Sequence, residues 1–343
     1  MFRKSNRTNE RDTKMIIYFI VLSVTFLGTV IILRKLIPYL SAKKIGQKIL
    51  EIGPSWHKNK NGTPTMGGIA FVISGFLAIV LVILLFIKHL DGKEIALIIN
   101  ICIYGVLNAL IGLVDDIAKI KQKRNEGLTA RQKFMLQAIV AILFLVSLRY
   151  TVHIDPIIDV PFLDKSFNVE WLYYVISFFM LCGIVNSVNL TDGIDGLAST
   201  VTLIIGVMLS FAAFFIFNYE SIKVFSALLV GSTSAFLIFN HHPARVFMGD
   251  TGSLFLGAII VGSSFITNNV LLVLVYGFVY VCEAASDILQ VSYYKITRGK
   301  RLFKMAPLHH HFEKMGWSEN KTVFVFSFVS VVCCLIAYLE MCL

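Results

Sequence analysis

Five aspartates and three histidines mark the ends of apolar stretches in this sequence. Asp115 and Asp116 close GLVDD (112–116), and Asp250 opens a run within FMGDTGS (247–253). A carboxylate pair can share a Mg²⁺ ion or act as a base beside one. Adjacent helical residues point about 100° apart, so one acid can face a site while the other faces a neighbouring segment. Asp250 is open to two readings: a helix N-cap, a role Asp favours, or a metal ligand if it joins the other two acids. In NSVNLTDGIDGLAS (186–199), Asn186, Asn189, Asp192 and Asp195 recur every three residues around Gly193. On a helix that spacing gathers them near one face, where they can read a ribose or base edge, or simply cap a loop. KNKNGTPTMGG (58–68) joins a glycine-freed backbone to Lys58 and Lys60, which suits an anion at a helix start or an ordinary capped turn. Phe247 can face lipid or stack on a base.

MAPLHHHFEKMG (305–316) holds His309, His310 and His311 in succession. Neighbouring side chains on a helix diverge, so a three-histidine metal centre is disfavoured. The oxygen-rich acids suit Mg²⁺ better than zinc or copper. The histidines read as hydrogen-bond donors to phosphate oxygens or as packing that shapes the site, and Pro307 fits the start of a short helix.

The elements that must position these residues are membrane spans. The 343 residues are 57% hydrophobic and only 15% charged, with a mean hydropathy of +0.77, whereas soluble domains carry about 25% charge. The apolar residues form runs of about 18–25, the length that crosses roughly 30 Å of hydrocarbon. Period-two alternation is absent, which excludes a barrel. The expectation is an all-α polytopic membrane protein of ten spans, at 15–38, 67–87, 95–114, 132–150, 172–188, 197–217, 222–240, 251–267, 269–294 and 322–342. They form one domain, 15–343, behind a basic tail, 1–14.

A net charge of +10 does not imply nucleic acid here. The loops after odd-numbered spans hold 21 Lys and Arg, those after even-numbered spans only 5. Cytoplasmic loops carry that excess, so both termini are expected outside and every polar cluster falls in a cytoplasmic cleft. The tail, with Arg3, Lys4, Arg7, Arg11 and Lys14, opposes that orientation. The six cysteines lie in or beside spans with no CxxC and read as packing residues. The first run is too long for a signal-peptide core.

Acids for Mg²⁺, lysines for phosphates, a polar pocket and access to the bilayer together suggest phosphoryl transfer to a lipid phosphate. GTPTMGG (62–68), GLVDD, NxxNxTDGxDGLA (186–198), FMGDTGS and MAPLHHHFE (305–313) closely resemble the bacterial phospho-N-acetylmuramoyl-pentapeptide transferase family, within the polyprenyl-phosphate N-acetylhexosamine-1-phosphate transferase superfamily. The resemblance runs from about residue 34 to the C-terminus. It implies a homodimer of the bacterial cytoplasmic membrane with a ninth span broken near its cytoplasmic end. The implied reaction is attack by undecaprenyl phosphate on UDP-N-acetylmuramoyl-pentapeptide, releasing UMP and forming lipid I with Mg²⁺.

By the same resemblance Asp115, Asp116 and Asp250 are catalytic, Asp250 holds the metal, and His309, His310 and His311 are the essential histidines. Lys60, Thr65, Asn189, Asp192, Gly193 and Asp195 line the nucleoside pocket, with Phe247 beside the uracil. Asn240, Gln290 and Ala306 line the cleft, and Lys119 and Lys123 flank the phosphates. Two other readings are weighed against this one: a transferase using UDP-N-acetylglucosamine, which the PLHHHFE loop argues against, and an ion transporter. Glu283 and Asp287, acids inside the ninth span, are the features that favour a transporter, and Asp287 matches no family motif.

Overall fold

A computed structural model of the chain describes residues 2–43, 46, 60, 62–122, 127–163, 165–217 and 219–343, with side chains from residue 15 onward. Every long apolar run is helical, because only a helix satisfies its own backbone groups in hydrocarbon. In chain order the elements are α1 (Phe2–Ala42), α2 (Gly68–Phe86), α3 (Gly92–Gln122), α4 (Ala130–Thr151), a hairpin of β1 (Ile157–Val160) and β2 (Lys165–Asn168), α5 (Trp171–Thr191), α6 (Leu197–Phe215) and α7 (Glu220–Asn240). Then follow α8 (Gly249–Ser264), a 3-10 turn (Val270–Leu272), α9 (Val273–Tyr276), α10 (Phe278–Ile296), α11 (Leu308–Lys314) and α12 (Glu319–Cys342). α1 runs unbroken from the basic tail into the first span.

Among the described residues, eight helices are long and apolar enough to cross a membrane, and a ninth span forms if Val270–Tyr276 and α10 are joined across their bend. The remaining expected span, 251–267, is α8. It has 16 residues, about 24 Å at 1.5 Å per residue, and falls short of roughly 30 Å of hydrocarbon. Its surroundings explain how so short a helix is tolerated. Every residue from Thr251 to Ser264 is buried, so protein rather than lipid covers it, chiefly α3 and α5. The ninth segment is broken at Gly277, directly after Tyr276, with a bend of 85°. Directly beyond the break Tyr280 reaches the Ala198 carbonyl and Glu283 reaches His309, at the end of the bundle where α6 begins. Further along, α10 exposes the apolar side chains of Ile288, Leu289, Val291 and Ile296.

The two ends of the bundle differ. At one end the hairpin is tied to α12 by the Phe162 N–H donating to Glu340 (2.8 Å), and α7 is tied to α3 by Ser221 N–H donating to Glu94 (2.7 Å). At the other end α3, α5 and α7 finish and α4, α6, α8 and α12 begin. α3 has 31 residues, so it outlasts its apolar stretch and carries Asp115 and Asp116 beyond it. α4 starts on a capping box in which Thr129 and Gln132 exchange hydrogen bonds, which fixes the first turn bearing Lys133.

Candidate active site

Asp115, Asp116 and Asp250 meet where α3 passes the start of α8, each offering a carboxylate oxygen within 4.8 Å of the others. Gly112 makes this possible: a Cβ there would overlap the Asp250 backbone. The three acids then do different work. Asp116 faces α8 and caps it, accepting from Asp250 N–H (3.1 Å), Thr251 N–H (3.0 Å) and the Thr251 hydroxyl (2.7 Å). The cap of α8 is thus supplied by α3, and the Asp250 side chain is released from that role. Asp115 accepts from Leu128 N–H (2.7 Å) and pairs with Lys119 (2.6 Å). Asp250 pairs with Lys133 (2.7 Å) and Lys119 (3.1 Å), and accepts from the Asn189 amide (3.0 Å). Asn189 is itself held by Lys133 (2.9 Å) and Ser253 (2.8 Å).

Two lysines against three carboxylates leave one net negative charge, and every acidic donor is an oxygen. That donor set fits a hard divalent cation such as Mg²⁺, with the lysine ammonium groups standing where its positive charge would act.

A second cluster forms around Asp195, just before α6. Lys60 bridges Asp195 (2.7 Å) and Glu319 (2.6 Å). Glu319 also accepts the Asp195 backbone N–H (3.1 Å). His242 and the Ala244 N–H each reach the other Asp195 oxygen at 3.0 Å. Burial alone would raise the Asp195 carboxyl, but Lys60, Ala244 and His242 outweigh it and hold it below the usual carboxylate range. Asp192, at the end of α5, lies between the clusters. Burial, then the negative charges of Asp250, Asp116 and Asp195, push its carboxyl well above the usual range.

Asn240 is buried, accepting from Gly196 N–H (3.2 Å) and Ser199 (3.1 Å) and donating to the Val246 carbonyl (2.9 Å). Gln290 accepts from Leu302 N–H (3.0 Å) and Phe303 N–H (2.9 Å), and donates to the Phe303 carbonyl (3.1 Å). It folds the basic loop back onto α10. Thr65 and Phe247 are brought side by side, because Phe247 N–H donates to Pro64 O and Gly67 N–H to Phe247 O, both 2.8 Å. Ala306 lies just ahead of Pro307, the first cap of α11. Lys123 falls outside the described residues.

The three histidines have separate environments. His309 is buried against Glu283 (2.9 Å), His310 pairs with Glu313 (2.7 Å), and the His311 Nδ1 accepts from Lys304 N–H (3.1 Å). The His309 and His310 rings meet edge on, 4.1 Å between centroids, while the His311 ring lies against Phe303. Sequence reasoning overlooked Lys133, His242 and Glu319. Lys133 was legible only as one loop charge among several, and the other two touch Asp195 from 47 and 124 residues away. Asp287 is half-buried on α10, and nothing in the structure gives it a role.

A bundle of apolar helices with acid and lysine clusters at one end defines a polytopic membrane enzyme, and residues 96–268 match the model of glycosyl transferase family 4. Residues 60–72 match a signature of phospho-N-acetylmuramoyl-pentapeptide-transferases. Proteins of that name are similar along nearly the whole chain. The one from Clostridium acetobutylicum is 43% identical over 95% of this chain and 99% of its own length. The one from Clostridioides difficile is 45% identical over 90% and 93%, and that of Caldicellulosiruptor bescii 41% over 92% and 94%. The chain belongs to the phospho-N-acetylmuramoyl-pentapeptide-transferase family and is a multi-pass membrane transferase.

Proposed function

We propose that the protein moves phospho-N-acetylmuramoyl-pentapeptide from its UDP carrier to undecaprenyl phosphate, producing lipid I and UMP, at the cytoplasmic face of the bacterial cell membrane. The observation that carries this reading is the cluster of three carboxylates and two lysines, built where α3, α4, α5 and α8 meet. Asp250 would hold Mg²⁺, with Asp115 fixing Lys119 beside it. Such an ion, when bound, neutralises diphosphate charge.

Phosphoryl transfer demands in-line positioning and charge neutralisation more than covalent help. Lys119 and Lys133 supply fixed positive charge beside Asp250. A phosphate monoester loses its second proton near pH 6, so at neutral pH the lipid phosphate is mostly a dianion and can attack the β-phosphorus without a base. Asp115 fits that economy, since Lys119 and Leu128 N–H already occupy its two oxygens. It anchors a lysine rather than taking a proton. Asp192, Asp195 and Lys60, with Phe247 nearby, form the polar wall on which the nucleoside would rest. The basic excess of the loops at this end supports its cytoplasmic position.

The test is UMP release by purified protein in detergent with undecaprenyl phosphate. Release is expected with UDP-N-acetylmuramoyl-pentapeptide and not with UDP-N-acetylglucosamine. The reverse preference would overturn the assignment of the sugar.

A further inference from the structure

Glu283 is an acid on α10 with no exposed surface, in a segment read as membrane-embedded, where a carboxylate is costly and usually marks function. Both of its oxygens are engaged by one residue. The His309 backbone N–H donates to Oε1 (3.2 Å) and His309 Nδ1 lies 2.9 Å from Oε2. His309 is an early residue of α11, whose first cap, Pro307, offers no side-chain bond. Glu283 therefore replaces that cap from another helix and holds the imidazole at the same time.

A carboxylate that only accepts at both oxygens would put the ring hydrogen on Nδ1. The other ring atom, Nε2, is buried and has no partner among the described residues. It abuts Gly193, where an added Cβ would overlap it, at the turn carrying Asp192 and Asp195. His311 is wired the other way. Its Nδ1 accepts the Lys304 N–H, so its neutral ring keeps the hydrogen on Nε2, as a phosphate ligand requires.

We propose that Glu283 is a positioning residue of this site, locking His309 in the Nδ1–H form so that Nε2 is an acceptor at the Gly193 turn for a hydroxyl or N–H of the nucleotide substrate. This rests on the transferase reading above. It divides the histidine run: His311 has the polarity to donate to a phosphate oxygen, and His309 has the opposite polarity.

The test is ¹⁵N NMR of histidine-labelled wild-type protein in detergent, without substrate. The His309 signals among the eight histidines are assigned as those lost in His309→Asn. The expected pattern is a hydrogen on Nδ1 and a bare Nε2. A bare Nδ1, or a doubly protonated ring, overturns the proposal, and this readout depends on neither turnover nor any Glu283 variant. In Glu283→Gln the amide can donate to Nδ1, so the hydrogen should move to Nε2. Then kcat for UMP release should fall about 10- to 100-fold, by analogy with loss of the partner that orients a metal-bound histidine. A shifted hydrogen with an unchanged rate would also overturn it. If wild-type protein released no UMP from any UDP-sugar, the transferase reading would fail while the NMR result still judged the clamp.

Discussion

Neighbouring residues of one type have been given unlike tasks by what surrounds them. Asp115 and Asp116 are adjacent, yet one holds a lysine and the other caps α8 with three hydrogen bonds. Asp116→Asn keeps the volume and loses half of the acceptor capacity. We expect it to lower stability in substrate-free thermal unfolding by about 1–3 kcal/mol, the cost of buried donors left unpaired. Unchanged stability would remove the capping role. Lys133 touches both Asp250 and Asn189. Lys133→Met should raise KM for the nucleotide roughly 10- to 150-fold, corresponding to one charge-assisted hydrogen bond of about 1.5–3 kcal/mol, and steady-state kinetics would show it. A KM within twofold of wild type would exclude Lys133 from the phosphate site.

At the scale of elements, the spans were legible because length and apolarity are local properties of the chain. The acid pair at the end of α3 was legible for a related reason, as polar residues in apolar surroundings. The break in the ninth segment came only with the family resemblance. Gly277 is a single glycine in an apolar run, and such a glycine marks a bend only through what packs against it. α8 read as a full span because composition cannot report that its neighbours replace lipid on every side. Glu283 read as a transporter's acid until the fold supplied His309, 26 residues on.

The α3–α8 contact depends on backbone approach at Gly112, so Gly112→Val should force the helices apart. Overpacking of this kind costs about 1–3 kcal/mol. Because the contact carries Asp115, Asp116 and Asp250, UMP release should fall more than a matched loss of stability elsewhere would explain. Wild-type activity in Gly112→Val would contradict the role given to this crossing.

Taken as a whole, the molecule gathers its Asp115–Asp116–Asp250 and Asp195–Glu319 clusters at one end of an apolar bundle. Lys60, Lys133, Asp195, Asp250 and Glu319 lie at or before helix starts, while Asp115 lies late in α3 and Asn189 and Asp192 at the end of α5, and alternating helix direction gathers them. A transporter would instead place acids near the midplane of repeat-related helices. The one fully buried acid of α10 is engaged by a histidine. Sidedness rests on loop charge alone, and it has a direct check. A cysteine at Thr63, in a variant lacking the native cysteines, should be shielded from an impermeant thiol reagent in intact cells, and one at Asp159 should react. The opposite pattern would move the proposed site to the wrong compartment.

Asp250 is expected to join a Mg²⁺ site at the reaction centre. The most direct measurement is the Mg²⁺ dependence of UMP release by wild type and Asp250→Asn, each verified as folded by thermal unfolding. Because Asp116 supplies the α8 cap, the Asn variant should fold normally. Its rate at limiting Mg²⁺ should drop on the order of 10²-fold, with partial recovery as Mg²⁺ rises, as expected when a metal ligand is weakened. A folded Asp250→Asn protein whose rate and Mg²⁺ dependence matched wild type would contradict the account.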